Sequence, residues 1–317
     1  MKQRTFEKLH RSLWEQCEEL VEGNGFADPL KLPSLHRRLC HSLSLARSRG
    51  YAPSLVQRLH LLANRSHARL YGTPGEAPAV LRTWISSEFP RRVRTMWPYL
   101  VASLVAFLGP ALVAGIIVHI HPHLSDSILG PGATDHLKSM FAPGSERIGR
   151  EGTENDVQMF GFYIWNNVSI LFRTMATGVF LGIPSLLAIA YNGLHLGTVF
   201  SVMRDSPENR VPFFTFVTTH SALELTAIVV GGSAAFRLGW AVLRSGRRSR
   251  MDSFRQASIQ SLPVMGGASL MMLGAAFLEA FWSANATIEP GVRVAAGIVL
   301  WSLVLAYFAL AGRSRAA

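Results

Sequence analysis

Only two of the 317 residues are cysteines, Cys17 and Cys40, at a spacing that fits neither a metal site nor a redox pair. A disulfide framework is therefore excluded, and both thiols read as reduced, helix-packing residues. No cleavable signal peptide is visible, because the first 97 residues are polar and basic with no apolar core near the N-terminus. A phosphate-binding glycine loop, a G-x-S-x-G elbow and an H-E-x-x-H pair are all missing, so the sequence carries no known catalytic arrangement. Charge is scarce as well: Asp, Glu, Lys and Arg make up 16% of the chain against 49% hydrophobic residues.

The apolar residues that are there are spread unevenly. From Pro98 onward they gather into runs of roughly twenty, enough to cross a hydrocarbon layer about 30 Å thick. This predicts an all-α polytopic membrane bundle over residues 98–317, with spans at 99–121, 161–183, 186–204, 212–236, 258–281 and 292–311. Pro184 is expected to break the second span from the third. Trp97 and Tyr99 mark the headgroup level at the entry to the bundle.

A net charge of +11 suggests nucleic acid at first sight. In a membrane protein it has a simpler cause, since arginines collect on cytoplasmic segments and fix orientation; nucleic-acid binding is discounted. Residues 1–97 hold 16 Lys and Arg against 8 Asp and Glu, and 244–257 is the densest basic loop. Residues 122–157 instead carry six acidic and three basic residues. Six crossings from a cytoplasmic N-terminus place 244–257 and the C-terminus inside and 122–157 outside, so count and charge agree.

Residues 1–97 read as a cytoplasmic module of amphipathic helices. Phe6, Leu9, Leu13, Cys17 and Leu20 recur at helical steps before Gly23 and Gly25, and Leu35, Leu39, Leu43 and Ala46 do so before Gly50. Ser54 is expected to cap a third helix with Leu55, Leu59 and Leu62 on one face. The basic surface suits helix packing or contact with anionic lipid headgroups.

Polar residues inside the spans are costly and must find partners. Glu224, Arg173 and Asn192 each lie 12 residues from the outer end of their predicted spans, about 18 Å deep. Arg173 is thus the candidate counter-ion for Glu224. His220 and His195 lie about a turn nearer the outer face. Glu279 falls two residues from the predicted end of its span, so it is expected to be interfacial and out of reach of Glu224. Gly178 with Gly182, and Gly193 with Gly197, have the four-residue spacing that lets helices approach closely. A zinc site on His220 and Glu224 lacks the second histidine of a zincin helix. In the run His119 to His123, Pro122 ends the helix before the two outer histidines can share a face. No metal or cofactor is expected. The polar set is either a hydrogen-bonded network that fixes the bundle or the lining of a functional site.

The stretches "WNNVSILFRTMATGVFLGIPSLLAIAYNGLHLG", "THSALELTAIVVGGSA" and "GAAFLEAF" resemble the stage II sporulation protein M family of bacterial multi-pass membrane proteins. The family's motif positions correspond to Asn166, Asn167, Asn192, Gly193, Gly197, His220, Glu224 and Glu279. Ser221 stands where the family usually has glycine, which puts the helix contact beside His220 in doubt. The resemblance implies the bacterial inner membrane and protein partners in an envelope complex, among cell-wall remodelling proteins or MoxR-type ATPases and von Willebrand A-domain proteins. It implies no reaction. The leading expectation is a non-enzymatic scaffold in contact with membrane lipid, with a homo-oligomer also open. The alternatives are a transporter or channel lined by Arg173, Asn192, His195, His220 and Glu224, and an intramembrane enzyme using His220 and Glu224.

Overall fold

The computed structural model describes residues 1–22, 31–71, 77–145, 147–150, 155–246 and 249–313. It divides into two compact units, Met1–Arg82 and Thr83–Ala317.

The first unit packs α1 (Gln3–Glu22), α2 (Leu32–Ser48) and α3 (Pro53–Tyr71), and α4 (Ala77–Thr83) follows at the division. Its core joins Phe6, Leu13, Trp14 and Cys17 to Leu35, Leu39, Leu43 and Ala46 of α2 and Leu55, Leu59 and Leu62 of α3. Leu9 departs from the expected stripe: it is 67% exposed, and Trp14 takes the interior place at 2%. The Trp14 indole packs on the Phe6 ring at 5.8 Å, which carries the apolar face round the helix away from Leu9. Gly50 closes α2 with a φ of 62°, where a side chain would be strained. Helix α3 begins at Pro53, so Ser54 lies within its first turn and does not cap it. Gly23 and Gly25 lie outside the described residues.

The second unit begins earlier than the expected boundary at 97/98. A π-helical turn (Trp84–Glu88) and α5 (Phe89–Thr95) are part of it, because Phe89, Val93 and Met96 are buried with Val264, Met265 and Met272. Then come α6 (Trp97–Ile120), the short α7 (Ser125–Leu129) and α8 (Ala133–Met140), and five long helices: α9 (Asp156–Thr177), α10 (Ile183–Arg204), α11 (Pro207–Leu243), α12 (Arg250–Phe277) and α13 (Pro290–Leu310). A π-helical turn, Leu278–Ser283, extends α12 without a break.

Helices α6, α10, α11, α12 with its extension, and α13 are long and apolar enough to cross a membrane. Helix α9 has the length, but Gln158, Asn166, Asn167 and Arg173 interrupt its apolar run. Leu104, Val105, Leu112 and Ile116 of α6 and Ile298, Leu303 and Leu305 of α13 all stand exposed. So broad an apolar exterior suits hydrocarbon, not water. The molecule is an all-α polytopic membrane bundle.

Contacts between helix ends set the topology. At one end, here the loop end, His119 meets Asp205 at 2.8 Å, Asn209 Nδ2 donates to the Lys138 carbonyl at 2.6 Å, and Ile148 N donates to the Ala284 carbonyl at 2.9 Å. At the other, the tail end, Arg94 donates to the carbonyls of Phe308 and Ala311 at 2.8 and 2.6 Å, satisfying the last turn of α13. Gly182 lies against Gly239 there as well. The six long helices therefore run in alternating directions.

The break between α9 and α10 is made by glycine. Helix α9 stops at Thr177, and the chain turns through Gly178–Gly182 with positive φ at Leu181 (58°) and Gly182 (76°); Pro184 only starts α10. Gly193 and Gly197 pack α10 against α6: a Cβ at either would strike the carbonyl oxygen of Phe107 or Ala111. Gly178 likewise faces the Ala235 backbone.

Candidate functional site

Helices α9, α10 and α11 and the α12 extension enclose a cavity of about 500 Å³ near the loop end. Its walls carry Asn166, Asn167, Asn192, His195, His220, Ser221, Glu224 and Glu279 among aromatic and aliphatic side chains. Leu137 and Met140 of α8, with Phe141 and Gly149 after it, form its roof. Phe141 anchors this roof by edge contacts with Phe213 (5.1 Å) and Phe216 (5.4 Å).

At the centre stand His220, Glu224 and Glu279, with one donor atom from each lying within 4.8 Å of the other two. His220 is buried; its Nε2 is 3.7 Å from Glu224 Oε2 and its Nδ1 is 3.1 Å from Ser283 Oγ. The Glu224 side chain keeps 21% of its surface accessible, and that surface faces the cavity it lines.

Glu279 corrects the depth expected of it. The span does not end at 281 but continues through the π-helical turn to Ser283, which takes Glu279 inward to meet α11. A π turn holds an extra residue per turn and re-aims the side chains on it, which is why such turns recur at functional sites. Asn167 of α9 lies beside Glu279. Asn167 Nδ2 and Glu279 Oε2 are both buried with no hydrogen-bond partner among the described residues.

Arg173 does not pair with Glu224. Its side chain is exposed, and it lies one turn from the end of α9 at Thr177, not at mid-span. A long cationic side chain there reaches the interface readily. The cation in electrostatic reach of Glu279 is Arg150, from the segment before α9. Arg150 is buried, with Nη1 2.6 Å from Asp156 Oδ1 and Nη2 donating to the Ala280 carbonyl. Asp156 also binds Arg147 at 3.1 Å. Nothing in the sequence marked Arg150 out from the other charges of its loop, and its role depends on how that loop folds back.

The remaining polar residues sort by position. Asn192 donates to the Ala188 carbonyl at 2.8 Å, which fixes its amide on the cavity wall. His195 is exposed although it lines the cavity, so it stands at the mouth. Asn166 donates to Asn167 Oδ1 at 3.0 Å and so orients that amide. Gly193 and Gly197 are packing positions, away from the ligand face. Ser221 reshapes the contact beside His220: its hydroxyl accepts from Trp301 Nε1 at 3.2 Å and ties α11 to α13. Of the histidine run, His119 pairs with Asp205, whose carboxyl is held below its usual range by the hydrogen bond from His119. Helix α6 ends at Ile120, before His123.

Residues 100–284 match the family described as Stage II sporulation protein M. The chain belongs to that family. The matched stretch contains every polar residue of the cavity and stops before α13. Residues 4–72, within the first unit, match a domain family of unknown function, DUF8413. No curated protein and no solved structure matches the chain.

Proposed function

We propose that this integral membrane protein binds a small hydrophilic solute or cation in its intramembrane cavity, as a transporter or channel component does. One observation carries this: Glu224 and Glu279 converge on the cavity with His220 beside them and no Lys or Arg at ion-pair distance among the described residues. A purely structural network would pair its buried groups, because each unpartnered one costs about 1–3 kcal/mol. The amide of Asn167 and one oxygen of Glu279 are left open instead.

The reading is tested by solvent access. In a Cys17→Ser/Cys40→Ser background, Asn192→Cys and Val199→Cys on the cavity wall should react with a membrane-impermeant thiol reagent. Leu112→Cys, on the exposed face of α6, should not, because a thiol in lipid does not ionise. Cavity cysteines as inert as Leu112→Cys overturn the proposal.

Both termini and residues 244–257 are read as cytoplasmic in the bacterial inner membrane, with residues 122–157 outside, because the arginine bias favours it. A cysteine at Ser145 should then label from outside and one at Ser249 should not. A docking role for residues 1–82 accompanies the site: this separate unit has a core of its own, and family resemblance implies envelope partners. Comparing proteins that co-purify with the full chain and with a chain lacking residues 1–82 tests it.

A further inference from the structure

We propose that His220, Glu224 and Glu279 form a binding site for a divalent first-row transition cation. The inference rests on the cavity being a ligand site and names the ligand's class.

The donors suit such an ion. One imidazole and two carboxylates come from two facing helices, and their ligand atoms already lie within 4.8 Å of one another. Bonds of about 2.0–2.2 Å to a shared ion need only small carboxylate rotations from there. With the Nδ1 proton donated to Ser283 Oγ, His220 presents the Nε2 lone pair toward Glu224. A histidine ligand held through its other nitrogen is the usual outer support of a metal site.

A second observation points to the same place. Asn167 is 4% exposed and lines the cavity, and its Nδ2 makes no hydrogen bond of normal length among the described residues, with the Glu279 carboxylate alone in reach. Beside a three-donor site it is placed to orient the Glu279 ligand, the support such a carboxylate usually has. Spacing along α11 could not reveal this site, because the third donor comes from another helix.

Charge favours an ion of two positive charges. Arg150 is bound by Asp156, so those two offset each other, and the half-exposed Arg147 is directed to the same Asp156 carboxylate. The two cavity carboxylates remain, partly buried and close together across two helices. A divalent ion held between them offsets both charges at once. A mixed imidazole and carboxylate set suits manganese, iron, cobalt or zinc, and both thiols of the chain lie in the other unit, so a soft copper(I) site is not formed.

The experiment uses the full chain in mild detergent, stripped with chelator and titrated with Mn2+ followed by electron paramagnetic resonance. His119→Ala/His121→Ala/His123→Ala serves as a second background to remove exposed histidines. Saturable binding of one ion per chain is expected in both backgrounds. Glu224→Gln/Glu279→Gln should abolish it, and Ser283→Ala should weaken it about tenfold. Should the carboxylate variant fail to fold, the Co2+ absorption spectrum of the unaltered chain decides, with mixed nitrogen and oxygen ligand-field bands expected. No saturable binding, unchanged binding in the folded double variant, or a Co2+ spectrum of the aquo ion overturns the site. If the cavity cysteines still label in that event, the ligand-site reading stands and protons, not a metal, balance the carboxylates.

Discussion

Arg150 Nη1 lies 2.6 Å from Asp156 Oδ1, and this pair fastens the roof of the cavity to the start of α9. The same guanidinium donates to the Ala280 carbonyl in the π-helical turn that carries Glu279. One buried cation thus ties three segments together: the chain after α8, the first turn of α9 and the end of the α12 extension.

Removing Arg150 should therefore be expensive. Arg150→Met leaves Asp156 with only the exposed Arg147 and frees the Ala280 carbonyl, a loss of about 3 kcal/mol for a broken buried pair. Asp156→Asn keeps the bond to Ala280 and should cost less, about 1–2 kcal/mol. Thermal unfolding in detergent measures both. Equal losses would mean that the Ala280 contact contributes nothing.

Close packing of α6 on α10 gives a sharper steric test. Gly197→Ala drives a methyl into the Ala111 carbonyl, so the helices must part, at about 1–3 kcal/mol. Gly109→Ala, in the same helix pair, meets nothing within 4 Å and should be neutral or slightly stabilising through helix propensity. A neutral Gly197→Ala in thermal melts would contradict the packing described.

The first unit should be separable and sensitive to acid. Residues 1–82 contain a complete three-helix core, so the fragment is expected to be helical by circular dichroism. Burial holds His10 and His36 below their ordinary value of 6.5, with Arg38, His41 and Arg49 adding to the effect at His10 and His67 at His36. The unfolded chain then binds protons more readily than the folded one. Stability is full above the unfolded value and is lost as pH falls through it toward the folded values. Melting temperature should drop between about pH 7.5 and pH 5.5, and His10→Gln/His36→Gln should flatten the drop. An unchanged slope in that variant would assign the effect elsewhere.

Much of the fold was legible because hydropathy is a property of long windows. The long helices themselves, the glycine contacts of α10 and the stop before His123 were all readable in sequence, whereas most helix starts lie several residues earlier than hydropathy alone places them. The site was legible in part: Asn167, Asn192, His220 and Glu224 line one cavity, as intramembrane polar residues facing inward must. What sequence could not show was local and geometric. The π-helical turn that brings Glu279 inward leaves no trace in a hydropathy profile, and Arg150 looks like any loop charge. Arg173 was misplaced because Pro184 was taken as the break, whereas the Gly178–Gly182 turn ends α9 a full turn earlier.

That misplacement yields the most direct comparison of sequence with structure. If Arg173 faced Glu224, each single replacement would strand a buried charge, and the double replacement would recover part of the loss. The geometry instead puts Arg173 on the exposed side of α9 near its end, remote from the cavity wall. Arg173→Met should therefore shift stability by no more than about 0.5 kcal/mol, as surface changes do. Glu224→Gln removes a negative charge from beside Glu279 and should leave the fold intact or stabilise it. The double variant should equal the sum of the singles within about 0.5 kcal/mol, the mark of residues that share no partner. Recovery of more than about 1 kcal/mol in the double variant would restore Arg173 as the counter-ion. The two carboxylates would then no longer need a cation from outside the chain.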